Sequence, residues 1–231
     1  INPMWSLFYG LSPSSIMTIQ YDLPSPLSIA LIIAAIYFYI NRNLLLTVVF
    51  MALSFLTRED SIVVLIPLLI WDYQCKRQFK RIVLLMSCLI PFFLWQLFVT
   101  AKLGNAPMTT SAEAISFIPF SGVIGYIKTI EFHDIKQIGR QLSTLVVFSY
   151  FAILSIIIAR KSLSLRHLFY YVVAAYCLLA VFTVPSQWDN YNGLLRMFYG
   201  LFPFLIFSFC LEGDRLFKGA VYFTAVLSFL T

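Results

Sequence analysis

Residues 41–81, NRNLLLTVVFMALSFLTREDSIVVLIPLLIWDYQCKRQFKR, hold two apolar runs, Leu44–Leu56 and Ile62–Trp71, around one charged cluster, Arg58-Glu59-Asp60. Cations bound the piece: Arg42 on one side, then Lys76, Arg77, Lys80 and Arg81 on the other. Cations collect on the cytoplasmic side of membranes, so both ends read as cytoplasmic. As one continuous helix, Leu44 to Ile70 would measure about 40 Å, against about 30 Å of hydrocarbon. A single span fits that length but puts the two basic ends on opposite sides. Two half-length helices of about 20 Å each return the chain to the side it left. Their shared tip then carries Arg58, Glu59 and Asp60.

Composition sets the same frame for the rest. A hydrophobic fraction of 61% and a mean hydropathy of +0.88, with only 11% charged residues, lie far outside the range of soluble domains. The expected fold is all-α: a polytopic transmembrane helical bundle of continuous apolar runs, with a half-length helical hairpin. Alternating barrel strands are absent from the pattern. The net charge of +6 would suit nucleic acid, but the cations sit in short loops between apolar runs, where topology accounts for them. The bilayer is the expected partner, and nucleic acid is not. Cys75, Cys88, Cys177 and Cys210 show no metal spacing and read as apolar packing. The chain starts at Ile1 without an initiating Met and stops at Thr231 inside an apolar run. It therefore reads as one transmembrane domain, 1–231, truncated at both ends.

Upstream, Leu27–Ile40 forms a run whose first turn suits Pro24 and Pro26. It heads inward and leaves Asp22 at the outer face. Downstream, Ile82–Thr100 heads outward, with a kink expected at Pro91 and Trp95 near the outer boundary. Residues 101–140 form an external connection. Within it Val123, Ile127 and Ile130, then Ile135, Ile138 and Leu142, recur at helical spacing, interleaved with Lys128, Glu131 and Lys136. This fits an external amphipathic helix on the membrane surface, or a solvated helix capped on the domain. Leu142–Ala159, Leu168–Val184 and Leu194–Leu211 then alternate inward, outward and inward. On this path Arg42, Lys76, Arg77, Lys80, Arg81, Arg160, Lys161, Arg166, Arg215 and Lys218 fall inside. They are twice as many as Lys102, Lys128, Lys136, Arg140 and Arg196 outside. A single span through 42–81 would break the alternation, which favours the hairpin.

Ionisable groups at membrane depth are costly, so Arg58 with Glu59 and Asp60 is the leading candidate site. It reads either as an internal salt bridge or as an anion site, because a guanidinium offers a forked donor to phosphate. Asp22 suits a helix N-terminus and equally a catalytic carboxylate facing an external cavity. Arg196 reads as a snorkelling arginine, or as a second phosphate contact beside Trp188, whose face suits a pyranose ring. His133 and His167 are isolated, and no nucleotide loop, nucleophile elbow or paired metal motif is present.

The succession YDLPSPLSIALIIAAIYFY, LLLTVVFMALSFLTREDSIVVLIPLLIW and PFFLWQLFVTAKLG, with the later NGLLRMFYGLFPFLIF, resembles the C-type glycosyltransferase superfamily (the GT-C fold). Within it the chain looks nearest to bacterial cell-surface glycopolymer enzymes related to protein O-mannosyltransferases and lipid A aminoarabinose transferases. The resemblance covers about residues 20–211. It implies transfer of a sugar from a polyprenyl-phosphate carrier to a glycan, lipid or protein acceptor, at the outer face of a bacterial inner membrane. In such enzymes a first external loop, which would precede Ile1, carries the main catalytic acid. Asp22 matches the second acidic position, Arg58 a later basic position, and Arg196 a late arginine that meets the carrier phosphate. Glu59 and Asp60 depart from the commoner Arg-Glu-Thr form. No cofactor follows from the residues; the resemblance leaves room for a divalent metal ion. Two other classes fit the composition: a lipid or glycan transporter or flippase, and a non-catalytic membrane subunit. Transporters tend to repeat their broken helices, and only one broken hairpin is present here.

Overall fold

The computed structural model describes residues 24–76, 78–104, 118–128, 146, 149–150, 153, 157, 168–182, 200–201, 203–207, 219 and 222. Among them the secondary structure is helical, with no strand. Contacts group the chain into two compact units, Tyr21–Ala112 and Ile1–Gln20 with Glu113–Thr231.

The first unit holds α1 (Ser25–Ile40), α2 (Leu44–Thr57), a 3-10 helix (Glu59–Val64), α3 (Leu65–Lys76), α4 (Phe79–Met86) and α5 (Leu89–Leu103). Proline positions account for where several of these begin. Pro26 is the second residue of α1, Pro67 the third of α3 and Pro91 the third of α5. First-turn N–H groups have no intrahelical acceptor, so proline sacrifices no bond there. The kink expected at Pro91 falls earlier, at Ser87–Cys88. That is where the ring would strike the carbonyl four residues back, and Ile90 N–H donates to Ser87 O instead at 3.1 Å. Across this kink Phe79–Leu103 is 25 residues of apolar helix, among the described residues the one helix long and apolar enough to cross a membrane.

A tight turn joins α1 to α2. Asn43 N–H donates to Phe38 O and Arg42 N–H to Tyr39 O, the paired bonds of a Schellman end. Arg42 accordingly takes the left-handed conformation, φ 63°, a place usually held by glycine. Asn43 then caps α2 by accepting from Leu46 N–H at 3.3 Å.

Three cross-helix bonds trace the path beyond Arg58. Ser28 of α1 meets Ser54 of α2 and also Ser61 of the 3-10 helix, while Tyr39, eleven residues further along α1, meets Asp72 of α3. The chain therefore turns back at Arg58, and 61–72 runs in the same direction as 28–39. Asp72 returns to the Asn41 end of the unit. At 16 and 14 residues, α1 and α2 both measure little more than about 20 Å, the length expected of each hairpin leg. Pro24 and the Asn41–Asn43 turn trim α1 as firmly as Arg58 trims α2.

Small and polar side chains line the seam of this unit. Ser25, Ser28, Thr47, Ser54, Ser61 and Asp72 are buried, with Ile32, Ala35, Met51, Phe55 and Leu68 among them. Small residues let helix backbones approach, and hydroxyls bond across the gap. Large apolar side chains face outward instead: Leu45, Val49 and Leu53 on α2, and Ile90, Phe93, Leu94, Leu97 and Phe98 on α5.

The second unit contains α6 (Ser121–Lys128), α7 (Leu168–Val181) and helical residues within 200–207. Tyr176 stacks on Phe204 at 5.8 Å and Phe169 meets Phe207 at 5.5 Å, so these last two segments run antiparallel. Gly200 permits the approach, since a Cβ there would lie 2.8 Å from Tyr176 Cε1. Helix α6 lies in the expected external connection, with Ile124 and Ile127 exposed and Phe120 N–H bonded to Val181 O at 2.9 Å. Residues 129–145, which carry the rest of the expected amphipathic pattern, lie outside the described residues.

Candidate functional site

Arg58 ends α2 because its backbone is extended (φ −150°, ψ 126°). Its N–H still donates to Ser54 O at 2.8 Å, and its carbonyl accepts from Ser61 N–H at 3.2 Å, so the break leaves neither group unpaired. The guanidinium then folds over the turn. Nη1 donates to Ser25 Oγ and Nη2 to Asp60 Oδ2. The side chains of Arg58 and Asp60 are 20% and 43% exposed, so water screens the pair and its contribution to stability is small. Glu59 is half-buried beside it.

Behind the guanidinium stands a wall of hydroxyls. Ser28 Oγ lies 3.1 Å from Ser54 Oγ and within bonding distance of Ser61 Oγ, and Ser54 Oγ donates to Ser28 O at 3.2 Å. One proton assignment satisfies all three contacts: Ser61 donates to Ser28, Ser28 to Ser54, and Ser54 to the Ser28 carbonyl. The arrangement holds a forked cation at one end of the unit, with a partly exposed carboxylate as its present partner. An anion entering from outside would compete with Asp60 for that fork.

A second charged cluster sits at the opposite end. Asp72, fully buried, accepts on Oδ1 from Tyr39 O–H at 2.8 Å and from Arg81 Nε at 3.1 Å. Asp72 Oδ2 and Arg81 Nη2 are buried with no hydrogen-bond partner. This triad lies outside the residues that the sequence pattern points to. The signal was an acid four residues before the basic run; counting acids as well as cations at that end would have found it.

Of the expected site residues, the structure brings Arg58 and Asp60 together, with Glu59 adjacent. Asp22, Trp188 and Arg196 lie outside the described residues. The fork expected to be open to phosphate has both Nη atoms engaged, which is the internal salt-bridge alternative. No group of three or more His, Cys, Asp or Glu side chains among the described residues could hold a metal ion. Cys88 and Cys177 are buried free thiols and Cys75 an exposed one. The chain matches no protein-family model, no curated protein and no solved structure.

Proposed function

We propose that this chain is the membrane-embedded part of a glycosyltransferase that takes its sugar from a polyprenyl-phosphate carrier, with Arg58 meeting the carrier phosphate. One observation carries this most directly. A guanidinium lies at the turn of a reversing helix pair, backed by serine hydroxyls and bonded to the buried Ser25 and the partly exposed Asp60, at the end away from Asp72 and Arg81. The outward-facing apolar side chains of α2 and α5 support a lipid surround, and in this proposal α1, α5 and α7 belong to spans of a multi-pass inner-membrane protein, with α2 and α3 the hairpin between α1 and α5.

The chemistry asks little of the protein. An acceptor hydroxyl attacks the anomeric carbon, the bond from that carbon to the phosphate oxygen breaks, and a carboxylate takes the hydroxyl proton. Asp22 is the carboxylate implied by the family resemblance. Negative charge grows on the leaving phosphate, and Arg58 would release Asp60 to receive it, a gain largest where water is excluded. A metal ion could serve the same leaving group, but the described residues do not supply a donor set for one, and Asp60 is committed to Arg58. No step is assigned to it.

The test is sugar transfer by the full-length protein in membranes supplied with polyprenyl-phosphate-linked sugar. Arg58→Ala is expected to lower turnover by about a hundredfold or more, with Arg58→Lys recovering part of the loss. Wild-type turnover in both variants would refute the assignment of Arg58, and absence of transfer by the wild-type protein would refute the class.

A further inference from the structure

Charges in the first unit are sorted by end. Among the described residues, Arg58, Glu59 and Asp60 occupy one; Arg42, Lys80 and Arg81 gather at the other, with Asp72 as the acid there. The fold, not the sequence spacing, makes this second group. Tyr39 on α1 and Arg81 on α4 share Asp72 of α3, which brings the Arg42 turn to the start of α4. We propose that this basic end binds the phosphate headgroup of an anionic phospholipid through Arg42, Lys80 and Arg81.

Three observations converge on that partner. First, among the described residues three cations against one buried acid leave a net positive end, and Asp72 is already spent on Tyr39 and Arg81. Second, Arg81 is held through Nε with its side chain still 15% exposed, and a phosphate oxygen is the acceptor a guanidinium fork best fits. Third, the helix long enough to cross a bilayer begins at Phe79, beside Lys80, and Phe79 is 76% exposed. That apolar ring fixes the level of the cations at the edge of the hydrocarbon, where lipid phosphates lie. Arg42 contributes from a strained left-handed backbone, where glycine would be easier, so its side chain is the part of that residue with something to gain. Cations just outside a span draw anionic lipid in this way.

The full chain in nanodiscs of mixed phosphatidylglycerol and phosphatidylcholine provides the test, with retained lipid read by native mass spectrometry. Lys80→Gln and Arg42→Gln leave the Asp72 bonds intact. Each should cut the preference for phosphatidylglycerol about fivefold, and the pair should remove most of it. Added salt should weaken the wild-type preference, as expected for exposed cations. Equal retention of the two lipids by the wild type, or an unchanged preference in the double variant, would overturn the proposal. Inorganic phosphate distinguishes the other source of the same chemistry. If it raises the thermal stability of the detergent-purified chain as much as phosphatidylglycerol does, the site is one for a free anion and the lipid assignment falls. None of these outcomes depends on glycosyl transfer.

Discussion

The described residues of the first unit hold two arginine–aspartate pairs, and they differ in burial, in spacing along the chain and in the company they keep. Arg58 and Asp60 are two residues apart, on one turn, and open to water on one side. Arg81 and Asp72 come from different helices, with the carboxylate fully buried and a tyrosine hydroxyl bonded to the same oxygen. Exposed pairs contribute little to stability and exchange partners easily. Buried pairs are costly to break, because whichever partner stays behind is left charged and unsolvated. Identical side-chain chemistry therefore yields an exchangeable cation at one end and a fixed strut at the other.

The sharpest way to break this contrast is to remove the buried acid. Asp72→Ala should destabilise the protein by about 3–5 kcal/mol, leaving Arg81 unpaired and the Tyr39 hydroxyl without its acceptor. Denaturant titration of the detergent-purified chain reads this, and Asp72→Leu combined with Arg81→Met should recover most of the loss. Arg58→Ala should cost under about 1 kcal/mol in the same titration despite its expected effect on turnover. Comparable losses at the two ends would erase the distinction.

Next in size is Tyr39→Phe, which deletes one hydrogen bond to a buried carboxylate and should cost about 1.5–3 kcal/mol. Ser28→Ala removes the hydroxyl shared by Ser54 and Ser61 and should cost about 1–2 kcal/mol, with α1 less firmly held to the Arg58 turn. Hydrogen exchange at Arg58–Ser61 should rise in that variant, while exchange around Asp72 stays as it was. The smallest effect has the opposite sign. Arg42→Gly should stabilise the chain by up to about 1 kcal/mol by relieving the positive φ, so a loss on substitution would mean that the side chain contributes more than the strain removes.

How much of this was legible from residues alone follows from how local each cause is. Apolar runs bounded by Asn41–Asn43 and by Arg58 mark helix ends through backbone chemistry, and the helices end there. The reversal at Arg58 was readable because cations at both ends of 42–81 demand it. Pro91 signalled a break but not its position, because the ring acts on the carbonyl of the preceding turn. Pro67 sits inside an unbroken apolar run, although it lies just past the change from 3-10 helix to α3. The serine seam was not legible, and of the Asp72 triad only the acid before the basic run was, not its partners. Each depends on residues about 26 to 42 positions apart meeting across helices, and nothing in the spacing of Ser28, Ser54 and Ser61 announces that they share a point.

Prolines at the first turns of α1, α3 and α5 also limit how the unit can adapt to its surroundings. A helix fixed at its start cannot wind backward to gain length, and α1 and α2 are further clamped by the Asn41–Asn43 turn. If α1 and α2 lie in a bilayer, as proposed, legs of about 20 Å require the acyl chains around them to tilt or compress locally, giving a thinned collar. Under the proposed function, such a collar would bring a carrier's headgroup closer to the middle of the membrane and shorten the distance that a lipid-borne sugar has to descend.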